Sequence, residues 1–528
     1  MSVEQPIVAA RADRTRRYAV AAIVFAMAVL ALDAARLFAA GDAAVRFPWE
    51  LDYGEGIVWE QMRLMLSGQG YGSIDGLPAI VFHYPPVFHM ATAALAGATG
   101  LDPLAAGRLV SLLSTLLTGV FAGLIAAKTV RAESSAAVAA LSGAVGGLAV
   151  FSLWPVVHWA PLMRVDMLAT ALSFAGVYAA MLALKRPPLI LLAAACFVAA
   201  VYTKQTSIVA PGAVFLTFLV VRPRLAWACA GFCIVLGLAA LGALAWATDG
   251  GFIRHIFLYN VNRFEAWRLL LFKDVVLGHI FYFAVLAIGL AARLKARLPF
   301  YRGCGNVAGL RERLASAPAD ALLLLVLVYA LLAGLMTLSV AKSGSNVNYF
   351  IEWMAVLAIL LGIFVRDAAA AAAGAVSGAG SRRLFAQPAL MPLLIGLQAL
   401  TLASPPARTE ARAQSRVAEL EQLSLMVREA DRPIISDDMV LLRRSGVPVQ
   451  WEPAIFAELA STGAWDERGF VERVRSGQFA FFVTAGTRGQ RLFDSRYNPA
   501  VADAISAAYP VRRKLAGFTI HLPAGAVK

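Results

Sequence analysis

Cysteine and histidine are scarce in this chain, four and six among 528 residues. Cys196, Cys229 and Cys233 lie inside apolar runs and Cys304 in a basic loop, which excludes a disulfide framework. Cys229 and Cys233 share a helical face, but no histidine or acid stands near them in sequence. They read as small core residues and not as a metal site. Charge is scarce as well. Asp, Glu, Lys and Arg make up 15% of the residues, against about 25% in soluble globular domains. Acids are the rarer sign, 33 against 47 bases, for a formal charge of +14. What fills the space is hydrocarbon, with 60% hydrophobic residues and a mean hydropathy of +0.69. These values exclude a single soluble enzyme and a disordered chain. The positive charge is no nucleic-acid footprint either, because the bases sit in short clusters between apolar runs, as in loops held on the cytoplasmic side of a membrane.

A span needs roughly 17–25 predominantly apolar residues. Runs at 18–40, 104–127, 134–154, 166–184, 188–203, 206–221, 225–247, 274–294, 319–340, 349–366 and 386–404 qualify, so the reading is a mostly α, polytopic helical membrane protein with about eleven spans. Arg11, Arg14, Arg16 and Arg17 precede the first run without a convincing small-residue cleavage site, so that run is read as a retained helix. If this cluster is cytoplasmic, strict alternation also places Lys128, Arg131, Lys185, Arg186, Arg222, Arg224, Arg293, Lys295, Arg297, Arg302, Arg382 and Arg383 inside. The alternation holds only if segment 84–100 does not cross. It is short, opens Tyr84-Pro85-Pro86, and is read as a re-entrant or interfacial helix.

Everything after residue 404 then lies outside. The domains expected are 1–404 in the membrane and a small α/β domain over 405–528, where the composition turns to mixed charge. Arg416 to Ala430 reads as an amphipathic helix, with Val417, Leu420, Leu423 and Val427 on one stripe. Pro433–Ser436, Phe479–Val483 and Phe518–Leu522 read as strands, and 499–508 as a helix. The Ala/Gly-rich stretch 368–380 reads as a flexible loop. Abundant Ala, Arg and Gly point to a GC-rich bacterium. The localisation expected is therefore the cytoplasmic membrane, with the N-terminus inside and the C-terminal domain periplasmic.

The ionisable residues that break the pattern all fall on the outer face. Trp49-Glu50-Leu51-Asp52-Tyr53-Gly54-Glu55-Gly56 puts three acids within six positions just outside the first span. An acid partly desolvated at the membrane boundary gains basicity, which suits a general base or a metal ligand. Next comes Arg164-Val165-Asp166 at the start of an apolar helix, where Asp166 is either a cap or a functional acid with Arg164 as its partner. His83-Tyr84-Pro85-Pro86 offers a histidine near an anionic group, while His83 and His89, six apart, are a weak metal signal. Tyr202-Thr203-Lys204-Gln205-Thr206 places a lysine outside, against the positive-inside trend, and an anionic ligand explains it more simply than lipid snorkelling. The loop 248–273 carries Arg254, His255, Arg263, Arg268 and Lys273 among aromatics, as an interface anchor or a phosphate clamp. Last, Lys342-Ser343-Gly344-Ser345-Asn346-Val347-Asn348-Tyr349-Phe350 is a polar loop leading into a span. Acids beside cations at bilayer depth suit a ligand with a phosphate head and a lipid tail.

Taken in order, Asp52 to Gly56, Tyr84-Pro85-Pro86, Arg164 and Asp166, Lys204-Gln205-Thr206 and Asn348-Tyr349-Phe350 resemble the membrane-embedded GT-C glycosyltransferases, over residues 18–404. The bacterial branch related to protein O-mannosyltransferases and lipid A aminoarabinose transferases is the most similar, and the tail resembles the small outer domain of many such chains. The resemblance implies an inverting transfer from a polyprenyl-phosphate sugar to a hydroxyl of a glycan, lipid or protein. It implies an acid of the first outer loop as general base, carried here to Asp52; Glu55 and Asp166 are the further candidate catalytic acids. Lys204, Arg263, Arg268, Lys342, His83 and Arg164 would hold the donor phosphate, and Tyr84, Gln205, Asn348 and Tyr349 would line the substrate. The family's usual Asp-Glu pair is replaced here by Asp52-Tyr53, and the lysine some relatives carry before the two prolines is replaced by His83-Tyr84. No metal ligand set is identified, although a divalent ion is compatible with the acids. The rival class is a secondary transporter or flippase for a lipid-linked or anionic substrate, which calls for broken helices and mid-membrane acids. Here the ionisable groups cluster at the outer edge.

Overall fold

The structure, a computed structural model, describes residues 4–374, 388–402 and 416–525. The expected domain boundary at 404/405 lies outside the described residues. Among those described, six helices have the length and apolarity of a membrane crossing: Asp13–Arg46, Pro103–Arg131, Asp166–Ala183, Pro223–Ala247, Pro318–Ala341 and Val347–Ala372. Ala266–Gly278 and Ile280–Tyr301 form a further pair, bent by 77°. The apolar helices Ala136–Ser152, Leu189–Val201, Val209–Val221 and Leu390–Leu402 are shorter, as is Val87–Thr99 in the segment expected to be re-entrant. The chain is thus a multi-pass helical membrane protein. All eleven apolar runs read from the sequence are helical where described, but four of them form helices below full spanning length. Of the stretch 368–380, residues up to Ala372 close the helix Arg366–Ala372, and 375–387 lie outside the described residues.

Local chemistry explains the element ends. Asp102 caps Pro103–Arg131, its carboxylate accepting from the amides of Leu104 (3.1 Å) and Ala105 (3.4 Å). Pro103 sits where a missing N–H costs nothing, and Lys128 and Arg131 face the carbonyl end. Without water to drive association inside a bilayer, helices are held by close backbone approach through small residues. Here Gly119, Gly123, Gly143 and Gly147 let Pro103–Arg131 lie directly on Ala136–Ala149; a Cβ at Gly147 would meet the Gly119 carbonyl oxygen at 2.7 Å.

The C-terminal domain carries a four-stranded sheet in the order β1 (Ile435–Ser436), β2 (Phe482–Thr484), β4 (Phe518–Leu522), β3 (Val511–Leu515). β1 and β2 are parallel, with Ile435 opposite Phe482; the other pairs are antiparallel, with Val483 and Arg513 both opposite Ile520. The expected helices Val417–Arg428 and Pro499–Ala508 flank it. Strand β3, Val-Arg-Arg-Lys-Leu, escaped the sequence reading because its exposed face is wholly basic. This domain is no free satellite. Its Met439, Leu441 and Ile520 share one apolar core with Phe47, Trp49, Trp59, Met163 and Val165.

Candidate active site

The loop after the first long helix is built around a buried ion pair. Arg108, on the helix Pro103–Arg131, donates to both carboxylate oxygens of Glu55 at 2.8 and 2.7 Å. It also donates to the carbonyls of Ala44, Phe47 and Trp49 at 2.6–2.7 Å. Glu55 accepts in addition from the amides of Leu51 (2.8 Å) and Met163 (2.9 Å). Burial alone would raise the Glu55 carboxyl, but the Arg108 guanidinium outweighs it and holds the group below its ordinary range. Glu55, expected among the catalytic acids, is committed to holding the loop.

Asp52 stands at the rim of this arrangement, a quarter of its side chain exposed. Burial pushes its carboxyl up to about 6, against the pull of Arg164. The Arg164 Nη1 lies 3.6 Å from Asp52 Oδ2 and donates to the Tyr53 carbonyl at 3.3 Å. Gly54 makes this approach possible. Its φ of +113° is left-handed, and a Cβ there would collide with Arg164 Nη1 at 2.0 Å. The Arg164 guanidinium also lies over Trp159, 5.3 Å from the ring centre.

Behind Arg164 is a second group. Asp166 is buried and fully engaged: Oδ1 accepts from Lys204 Nζ (2.6 Å) and Asn348 Nδ2 (2.9 Å), and Oδ2 from Trp159 Nε1 (2.7 Å). Lys204 also sits over the Tyr349 ring at 4.9 Å, and its ammonium is held charged by Asp166 against the opposing effect of burial. Three segments of distant sequence, 164–166, 202–206 and 346–350, thus meet at one carboxylate. A pocket lined by Asp166, Thr170, Lys204, Asn348, Tyr349 and Glu352 opens there. Gln205 donates to the His83 carbonyl at 2.6 Å, fixing the segment before the two prolines. Tyr84 lies within the field of Arg164, Asp166 and Lys204. His83 is pushed down to about 4 by burial, so its ring is neutral and supplies no cation at pH 7. His89 bonds Gln61 instead (3.1 Å).

The remaining expected cations sit elsewhere. Arg263 pairs with Glu458 of the C-terminal domain at 3.2 Å. Arg268 pairs with Glu265 and donates to the Ser345 carbonyl at 2.8 Å. Lys342 is exposed, on a short bridge with Phe264. These three join the segments around 263–268 and 342–345 to each other and to Glu458, and none is paired with Asp52 or Asp166. Among the described residues no three of His, Cys, Asp and Glu converge to hold a metal ion.

Sequence reasoning missed what the C-terminal domain brings. Arg496 lies over the Tyr53 ring at 3.8 Å and pairs with Asp437 at 2.9 Å. Glu50 accepts from the amides of Met439 (3.1 Å) and Val440 (3.3 Å). Burial, then the neighbouring Asp438, raise its carboxyl well above the ordinary range. A pocket of about 190 Å³, lined by Glu50, Asp52, Tyr53, Asp438, Arg496 and Phe518 among others, lies between the loop and the domain. Glu452 is buried behind Tyr53 and raised to about 8 by desolvation, against Arg164 and Arg496. Arg108 had a signal in the sequence, as a lone cation inside an apolar run; Glu452 had none.

No protein-family model and no curated protein sequence matches the chain. Solved structures do. The crystal structure of ArnT from Cupriavidus metallidurans bound to undecaprenyl phosphate aligns with a TM-score of 0.54 at 16% identity, covering 93% of this chain and 98% of that one. The apo crystal structure of the same protein gives 0.54 at 16% identity, over 92% and 96%. At that identity the likeness is one of fold, and it runs through both the membrane helices and the C-terminal domain. The chain has the GT-C fold that its outer-face motifs implied.

Proposed function

We propose that this protein is a membrane glycosyltransferase that moves a sugar from a polyprenyl-phosphate donor to an acceptor hydroxyl at the outer face of the cytoplasmic membrane, with inversion. The observation that carries the reading is Asp52. It is a partly exposed carboxylate lifted to about 6, open to a pocket and one guanidinium away from the buried Asp166–Lys204–Asn348 group. Support comes also from the structurally similar ArnT, which holds undecaprenyl phosphate.

In this reading Asp52 takes the proton of the acceptor hydroxyl, since a neutral hydroxyl is a poor nucleophile. The oxygen attacks the anomeric carbon opposite the phosphate, the bond from that carbon to the phosphate oxygen breaks, and the polyprenyl phosphate leaves with the electron pair. Lys204 and Arg164 face the charge that develops, already oriented by Asp166, Trp159 and the Tyr53 carbonyl. Tyr84, Asn348 and Tyr349 line the donor side. Glu55 is assigned to holding the loop, and Arg263, Arg268 and Lys342 to joining the outer loops. The acceptor is a glycan, lipid or protein hydroxyl. Mass spectrometry of lipid and glycan fractions from cells lacking the gene, complemented with wild type or with Asp52→Asn, tests the proposal. A sugar that appears with wild type and not with Asp52→Asn supports it; identical profiles refute it.

A further inference from the structure

Residues 450–454 of the C-terminal domain are laced to the membrane domain at two points. The amide of Ala79 donates to the Gln450 carbonyl at 2.8 Å, and the amide of Ala454 donates to the Tyr53 hydroxyl at 3.3 Å. Glu452 lies between these anchors, 5% exposed. Its Oε2 is buried and has no hydrogen-bond partner among the described residues; the same is true of Arg164 Nε. Each of these side chains comes from a different domain, and the Arg164 charge acts on Glu452 without a bond forming between them. A buried polar atom left unpaired is costly, because it has given up water and gained no partner. Two of them beside the same residue, Tyr53, whose carbonyl Arg164 binds and whose hydroxyl accepts from the segment carrying Glu452, point to a polar substrate group that satisfies both.

We propose that the Glu452 carboxyl group and Arg164 Nε both donate hydrogen bonds to one phosphoryl oxygen of the substrate, so that the C-terminal domain supplies part of the anion site. The inference rests on the glycosyl-transfer reading. Three groups from separate elements face Glu452: Tyr53 from the first loop, Arg164 from the turn before Asp166, and Arg496 from the C-terminal domain. Both cations favour ionisation, yet burial prevails and keeps the acid protonated at pH 7. An ionised Glu452 would repel a phosphate, whereas a protonated one donates to it. The same chemistry would serve a donor phosphate or a phosphate on the acceptor.

The test is binding to the full chain in nanodiscs between pH 7 and 9.5, where a phosphate monoester has finished its second ionisation near 6. One arm uses undecaprenyl phosphate and the other a phosphorylated glycolipid. The wild type should lose affinity as pH rises through about 8, by roughly ten- to a hundredfold. Glu452→Gln, which keeps a neutral donor, should bind at pH 7 within a few-fold of wild type and show no such alkaline loss. Glu452→Ala should bind weakly at every pH. The arm showing the loss identifies the phosphate as the donor's or the acceptor's. A wild type that binds equally at both ends of the range, or a Gln variant with the same loss as wild type, overturns the role of Glu452. Failure of the wild type to bind either lipid phosphate overturns the donor reading itself, and this inference with it.

Discussion

Arg108→Met removes a side chain with no solvent exposure and five hydrogen bonds, two to Glu55 and three to backbone carbonyls of the first outer loop. The Glu55 carboxylate would then be buried without a countercharge, a cost of about 3–5 kcal/mol. Each orphaned carbonyl adds about 1–3 kcal/mol if it cannot reach water. The loop will undock before it accepts the sum, so the net local loss should be near the cost of the charge alone. At 1.4 kcal/mol per tenfold that is about two orders of magnitude or more in opening. The amides of Leu51 and Met163, which donate to Glu55, report it directly. Hydrogen exchange followed by mass spectrometry should show residues 47–55 exchanging at least about a hundredfold faster, with turnover falling although Asp52 is intact. Arg108→Met combined with Glu55→Leu removes both charges and should recover part of the protection, because replacing a buried pair whole is far cheaper than breaking it. Wild-type protection and turnover in Arg108→Met alone would refute the claim that this pair sets the position of Asp52.

Three further outcomes follow. Asp52→Asn should lower transfer by about a hundredfold or more. In the wild type the acid limb of the activity should fall near pH 6, since the base works only when ionised. A carboxyl whose folded-state pKa is raised costs stability above that value and is relieved below it, so Asp52→Asn should melt higher than wild type at pH 8, and a lower melting point contradicts the assignment. Lys204→Met should weaken use of a polyprenyl-phosphate sugar by roughly ten- to a hundredfold; adding Asp166→Asn should recover stability but not donor use, and recovered donor use would make the lysine merely structural. A reporter fused after residue 404 should be active only outside the cytoplasm; activity inside reverses the topology.

The membrane helices were legible because a span is a local property, a run of apolar residues long enough to cross. Asp52, Arg164, Asp166, Lys204 and Asn348 were legible because each stands beside or between such runs, where a polar or charged group is expensive. What the sequence hid was partnership. Nothing in Leu-Asp-Tyr-Gly-Glu says that Glu55 faces Arg108 while Asp52 faces Arg164; the choice depends on which side of a left-handed Gly54 each acid falls. Arg263 and Arg268 looked equivalent to Lys204 as outer-face cations, yet they answer to Glu458 and Glu265. Glu452 and Arg496 sit among ordinary mixed charge, and only the docking of the C-terminal domain on Tyr53 gives them meaning.

That docking leaves no clearance. A Cβ at Gly56 would meet the Val440 amide nitrogen at 2.4 Å and the Met439 carbonyl carbon at 2.5 Å, both backbone atoms. The loop carrying Asp52 and the helix Met439–Arg444 are joined through Glu50 across a separation of 389 residues. During synthesis the loop must therefore wait for its other half. At about 5–20 residues per second the delay is roughly 20–80 s, during which the surroundings of Asp52 are unfinished. In this interval Asp52 lacks the part of its pocket lining that Asp438, Arg496 and Phe518 supply. The pocket beside Asp52 is thus complete only once the last-made segment has closed over the first-made loop, and a chain that stops before β4 lacks Phe518 of its lining.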